Sequence, residues 1–153
     1  MELPLIDEHS VGVAASPAHT WAALVERPGE GRARSAPSRI ARLLGCEQTG
    51  YSGRPGEVGS TSPGFRVVRA SPPRELALEG AHRFSRYSLV FRIEGAAGGP
   101  SLLRAETRAA FPGVAGQLYK TAVIRSRGHV LATRRMLQAI ARRAEGGEAA
   151  NVA

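Results

Sequence analysis

VAGQLYKTAVIRSRGHVLATRRMLQAIARRA, residues 114–144, holds no proline and only two glycines, Gly116 and Gly128, in a chain otherwise punctuated by both. At about 100° per residue, Tyr119, Val123, Val130, Leu137, Ala141 and Ala144 share one stripe, with Thr133 and Ile140 beside it. The pattern predicts one amphipathic helix of about 30 residues, ~45 Å long and able to cross an entire sheet. Nothing else in the chain is large enough to cover a sheet, so this element decides the fold class.

Upstream the period changes from helical to two. Leu102 to Phe111 turns Leu103, Ala105, Thr107, Ala109 and Phe111 inward, and sends Arg104, Glu106 and Arg108 to solvent, where they can pair across a sheet. Before the turn at Ala96–Pro100, residues 82–94 place Ser85, Tyr87, Leu89, Phe91 and Ile93 on one face and Arg86, Ser88 and Arg92 on the other. Phe65–Ala70 and Glu75–Glu79 flank the turn Ser71-Pro72-Pro73-Arg74 and read as a hairpin. Residues 45–63, rich in Gly, Ser, Thr and Pro, support a weak strand and loops.

Two short helices precede them. Ser16-Pro17 supplies an N-cap and a first helical residue, with Trp21, Ala22, Leu24 and Val25 as an apolar side and a stop before Pro28-Gly29. Pro37 to Leu44 has Ile40, Leu43 and Leu44 at helical spacing, and Gly45 as its stop. The chain opens on a half-buried strand, Leu5–Ala14, with His9, Val11 and Val13 on one face. Strand, two helices, antiparallel strands and one long helix give an α+β domain over 1–146, with 147–153 a frayed tail.

Composition narrows the function classes. A chain of 153 residues buries roughly 70% of the surface it exposes when unfolded, enough for one sizeable core. With 42% apolar and only 5% aromatic residues, that core is aliphatic. The lone cysteine, Cys46, has no partner, and no stretch approaches the ~18 apolar residues of a membrane span. These features predict a cytoplasmic protein with no membrane span. The net charge of +8 raises a nucleic-acid reading, but every basic residue except Lys120 is arginine, and they are scattered over every segment. A composition bias explains this better than a phosphate-binding face. The helical group Arg125, Arg135, Arg142 and Arg143 reads as a solvated side.

His9-Ser-Val-Gly-Val-Ala-Ala-Ser-Pro-Ala-His-Thr-Trp21, Pro63 to Leu78 and Phe111 to Leu137 resemble the START-like superfamily, also called SRPBCC or birch-pollen-allergen-like. The last segment is similar to bacterial polyketide-cyclase-like members. The resemblance spans nearly the whole chain. It implies a helix-grip fold, a curved antiparallel sheet wrapped around a long C-terminal helix, with a groove between them. In relatives that space serves lipid and hormone binding, aromatic cyclisation or partner binding.

Few residues point to chemistry. His9 and His82 could face the groove as acid or base, against the plainer reading of strand histidines hydrogen-bonded locally. Asp7 alone shares the face of His9, at the strand's start, because alternation sends Glu8 to the other side. Four scattered histidines and one cysteine give no metal-ligand spacing, and no phosphate loop is present, so neither metal nor cofactor is expected. Arg127 and Arg134 lie roughly 50–70° from the centre of the apolar stripe. There a guanidinium could hold a ligand carboxylate at the groove mouth, or snorkel along the sheet edge.

The leading expectation is a small apolar or amphipathic ligand, of lipid, polyketide or aromatic type. Trp21, Tyr87, Leu89, Phe91, Leu103, Ala105, Thr107, Tyr119 and Val123 would line its groove, with Arg127 at the mouth. Small side chains at 105, 107 and 109 leave room for it. The alternatives are a cyclase or isomerase using His9, His82, Tyr87 or Arg127 in the same groove, and a protein-interaction domain. Homodimerisation is left open.

Overall fold

The computed structural model describes residues 2–27 and 32–152, for the backbone only at 32–34 and 124. Strand β1 (Leu5–Val13) is followed by α1 (Pro17–Val25) and α2 (Arg32–Leu44), then β2 (Thr61–Ser62), β3 (Phe65–Ser71), β4 (Glu75–His82), β5 (Ser85–Glu94) and β6 (Ser101–Ala110). Two helices close the chain, α3 (Gly113–Arg125) and α4 (Gly128–Val152). The six strands form one antiparallel sheet in the order β1-β6-β5-β4-β3-β2. This is the expected α+β helix-grip architecture.

The strand phases follow from sequence alternation. In register, His9 faces Ala105, Phe91 faces Ala105 from the other side, and Leu89 faces Thr107. On the outer face the alternate residues form a ladder of ion pairs: Arg69 and Arg92 on Glu75, Arg92 and Arg108 on Glu106, and Arg104 on Glu8 and Glu94. The hydrogen bond from Arg108, helped by Arg92, holds the Glu106 carboxyl below its ordinary range despite partial burial.

At the other end of the inner face, α4 supplies Leu137, Ile140, Ala141 and Ala144 to a core built on Val13, Phe91, Ile93, Leu103 and Ala105. Helix α1 joins it through Ala23, and one buried polar link fixes its seat. Thr20 Oγ1 lies 2.8 Å from Ser101 Oγ, which donates to the Ala15 carbonyl at 2.9 Å. Ser16 caps α1 as expected, its Oγ accepting from the His19 amide.

Several expectations need correction. The buried side of α1 is Pro17, Thr20 and Ala23, while Ala22 is exposed, because the Ser101 bond turns Thr20 inward. The stop expected at Pro28-Gly29 lies outside the described residues, and α1 ends at Val25 ahead of it. Helix α2 begins at Arg32 and carries Pro37 inside, where the missing N–H forfeits only one bond near the helix start. Its Ile40 and Leu43 face solvent, and among its described side chains the buried one is Ala41.

The single long helix is two. The chain breaks at Ser126-Arg127, where Arg127 takes a left-handed backbone with φ +51°. Ser126 Oγ donates to the Val123 carbonyl at 2.9 Å and accepts from the Gly128 amide at 3.3 Å, which satisfies ends that a continuous helix would pair internally. The expected frayed tail is helical through Val152. Glu145 and Glu148 accept the amides of Ala14 and Ser16 at 3.0 and 3.1 Å, and Glu148 pairs with His19 at 2.5 Å, so the last turns are tied to the β1–α1 corner.

Candidate functional site

The break in the helix divides the inner face of the sheet into two regions, and the residues expected to line a groove fall on both sides. Phe91, Leu103 and Ala105 are 2%, 0% and 0% exposed; they lie under α4 as core. The room expected above Ala105 is occupied by the helix itself. Trp21 is half-buried on α1 beside the 50s loop, where a Cβ at Gly56 would come within 3.6 Å of its ring and 2.7 Å of Val25. A cavity of about 210 Å³ opens nearby on the same face, walled by Leu24, Tyr51, Val67, Leu76 and Leu78.

The other end of the sheet gathers aromatic rings. Tyr119 of α3 stacks on Phe84 with centroids 5.4 Å apart and stands edge-on to His82 at 5.1 Å. His82 lies 5.5 Å from Tyr87, and Tyr87 meets Phe65 edge-on at 5.2 Å. Two glycines permit the approach. A Cβ at Gly80 would come within 2.6 Å of the Tyr87 ring, and one at Gly116 within 3.0 Å of the Phe84 carbonyl, so the strand and α3 can close on the rings only without side chains there. Buried Leu89 pairs in register with half-buried Thr107, and Val123 of α3 is half-buried.

Polar groups in this cluster have assigned roles. His82 Nδ1 accepts from the Phe84 amide at 3.2 Å, so Nε2 carries the proton and donates to Ser85 Oγ at 3.0 Å. Burial lowers the His82 pKa and favours this neutral form. Tyr87 Oη donates to the Gly64 carbonyl at 2.8 Å, with Cys46 Sγ 3.8 Å away. Burial first, then Cys46, pushes the Tyr87 phenol above its ordinary range, and burial does the same for Tyr119.

His9 belongs to a different group, on the edge strand. Asp7 Oδ2 lies 3.0 Å from His9 Nε2 and 2.7 Å from His129 Nε2. One carboxylate thus bridges two imidazoles, one from β1 and one from the first turn of α4. Only the His9 contact is a hydrogen bond; Asp7 Oδ1 and His129 Nε2 are each buried with no hydrogen-bond partner. Among the described residues no group of histidine, cysteine and carboxylate side chains has the geometry to hold a metal ion. Period two had placed Asp7 beside His9, but nothing announced His129, because the turn that brings it there was read as helix. Cys46, Phe84 and Phe111 were missed too, their proximity to Tyr87 and Tyr119 being tertiary.

Arg127 and Arg134 are exposed. The argument that placed Arg127 at the groove mouth assumed one continuous helix, and the break removes it. A cleft of about 460 Å³ lies on the outer side with Glu47, Arg66, Glu79 and Arg86 in its wall.

No protein-family model and no curated protein matches the sequence. Among solved structures, norcoclaurine synthase from Thalictrum flavum in complex with dopamine and hydroxybenzaldehyde aligns with a TM-score of 0.55 at 15% identity, covering 92% of this chain and 86% of that one. A protein from Rhodobacter sphaeroides aligns at 0.52 with 19% identity, covering 97% of this chain and 99% of that one. One from Chromobacterium violaceum aligns at 0.54 with 12% identity, covering 93% and 99%. At these identities the likeness shows the fold alone, a START-like helix-grip fold. No described helix is long and apolar enough to cross a membrane.

Proposed function

We propose that the protein binds a small aromatic or amphipathic molecule at the α3 end of the sheet's inner face, with His82, Tyr87 and Tyr119 against it. The observation that carries this reading is the contrast in filling. Leu103 and Ala105 are sealed under α4, whereas Tyr87, Tyr119, Thr107 and Val123 stay half-buried. Aromatic rings with a few fixed polar groups are the usual lining of a small-molecule site. The aligned synthase holds dopamine and hydroxybenzaldehyde, which fits a ligand with a planar ring. A fluorescent naphthalene probe should bind, and Tyr119→Ala should weaken it about tenfold, since a stacked ring contributes roughly 0.5–1.5 kcal/mol beyond its buried area. Unchanged affinity in a folded Tyr119→Ala protein would place the ligand elsewhere.

Catalysis in the same groove is a second reading, favoured by Asp7. A carboxylate that orients an imidazole is the usual support of a general base, and here Asp7 is hydrogen-bonded to His9, with His129 close by at 2.7 Å. The reaction class would be proton abstraction beside a carbonyl or phenol. The plainer role of Asp7 is to pin the start of α4, where a negative charge meets the helix dipole. Asp7→Asn separates the two. Loss of turnover with an unchanged melting temperature supports catalysis, and loss of stability with no turnover in the wild type supports the pin.

A further inference from the structure

Helix α2 presents its apolar side to solvent. Ile40 and Leu43 are 59% and 79% exposed, with Ala36 exposed beside them, while Arg39 and Arg42 stand exposed on the other flank. Spacing of i, i+3 and i+4 puts Ile40, Leu43 and Leu44 on one stripe, the pattern of a helix made to bury that stripe against something. The described residues leave Ile40 and Leu43 of that stripe largely uncovered. The helix carries four arginines, and no carboxylate occurs between Glu30 and Glu47.

The neighbourhood has the same character. The end of α2 is tied to the β4–β5 turn by the Glu47 amide on the Ala81 carbonyl at 3.0 Å, and the Arg83 guanidinium lies against Gly45. The start of α3 rests on the same turn, through Tyr119 on Phe84. There Val114 and Leu118 are 81% and 69% exposed, in a stretch without a carboxylate from Glu106 to Glu145. One end of the molecule therefore combines exposed aliphatic side chains on two helices with an excess of arginine over carboxylate.

We propose that this end docks on an anionic lipid surface, with α2 lying in the interface plane. An amphipathic helix of modest overall hydrophobicity, aliphatic on one side and basic on the other, has the chemistry for it. Its arginines match the negative headgroups, and Ile40 and Leu43 reach the acyl boundary. A soluble polyanion without an apolar face would satisfy the charge and leave the aliphatic stripe in water. Docking does not require a ligand in the groove, so the two proposals fail separately.

The test is cosedimentation of the full chain with vesicles of phosphatidylcholine alone, and of phosphatidylcholine mixed with phosphatidylglycerol. Binding is expected to the mixed vesicles only, weakening as salt is raised. Ile40→Asp/Leu43→Asp should weaken it at least about tenfold, and Arg39→Ser/Arg42→Ser by about tenfold with a flatter salt dependence. Both variants should keep the wild-type melting temperature and naphthalene-probe affinity, because the altered side chains are exposed. Absence of wild-type binding at low salt overturns the proposal, as does equal binding to neutral vesicles or unchanged binding by the Ile40→Asp/Leu43→Asp protein. So does a dimer that Leu43→Asp dissociates while vesicles stay unbound, which would make a second copy the occupant of this face.

Discussion

Leu103 and Tyr87 stand on neighbouring strands with the same inward phase, yet one is wholly buried and the other half-buried. The difference comes from the helix above. Over Leu103, α4 brings Leu137, Ile140, Ala141 and Ala144, aliphatic side chains that pack without polar atoms. Over Tyr87, α3 brings Tyr119 at the head of a ring cluster that includes a histidine and lies near a thiol. One half of the sheet face is a core and the other retains hydrogen-bonding groups, and the break at Ser126-Arg127 sets the boundary between them.

The largest expected effect tests that boundary directly. Leu103→Ala removes a side chain with no exposed surface and should destabilise the protein by about 3–5 kcal/mol, transfer and cavity terms together. Tyr119→Ala, on the half-covered side, should cost only about 1–2 kcal/mol. Urea denaturation of the two variants measures both. Equal losses would mean that the α3 end is packed like the α4 end, and the contrast between them would fall.

A smaller effect sharpens the same contrast through pH. Burial holds His82 below its ordinary value of 6.5 in the folded state, so the unfolded chain takes up the proton first as pH falls. The stability contributed by neutral His82 is complete above about pH 6.5 and declines below it, toward the depressed folded value. Tyr87 and Tyr119, raised by burial, stay protonated throughout, and Glu106 and Glu148, both lowered, titrate in the acid range. His82→Phe should therefore flatten the stability profile on the acid side of about pH 6.5, where Leu103→Ala should shift it without changing its shape. An unaltered slope in the His82→Phe protein would show that the ring sits in water and not in the cluster.

How much of this was legible in the sequence depends on whether the signal was local. Alternation along 82–94 and 102–111 placed the inward residues of β5 and those of β6 from Leu103 to Ala109, though it missed buried Ser101 and carried the strand on to Phe111, because a period of two survives any tertiary setting but does not mark the strand's ends. Ser16-Pro17 marked the start of α1 for the same reason. The aromatic cluster was half legible: Tyr87, His82 and Tyr119 were named, while the glycines at 80 and 116 that let their backbones close carry no sequence mark of that role. The helix break was not legible, since it rests on a non-glycine residue in the left-handed region, and a single Gly128 inside a helical pattern is a weak stop. Missing it hid His129 and misplaced Arg127. In α2 the apolar spacing was seen correctly, but periodicity cannot say whether the stripe meets protein or solvent.

The smallest expected effect concerns Arg127 itself, which holds the boundary without touching either half. Its φ of +51° costs a side-chain-bearing residue roughly 1–2 kcal/mol relative to the right-handed region, and glycine adopts that conformation freely. Arg127→Gly should stabilise the fold by about 0.5–1 kcal/mol, the relief being partly offset by the greater freedom of glycine in the unfolded chain. Arg127→Val, branched at Cβ, should destabilise it by a similar amount. Because the guanidinium is exposed, Arg127→Ala should leave the affinity for an acidic probe within about twofold, as exposed charges contribute little. Thermal unfolding of the three variants, with one probe titration, decides the matter. If Arg127→Gly destabilised the protein and Arg127→Ala weakened the acidic probe about tenfold, the side chain would be holding a ligand at the groove mouth after all, and the division of the sheet face at this residue would have to be redrawn.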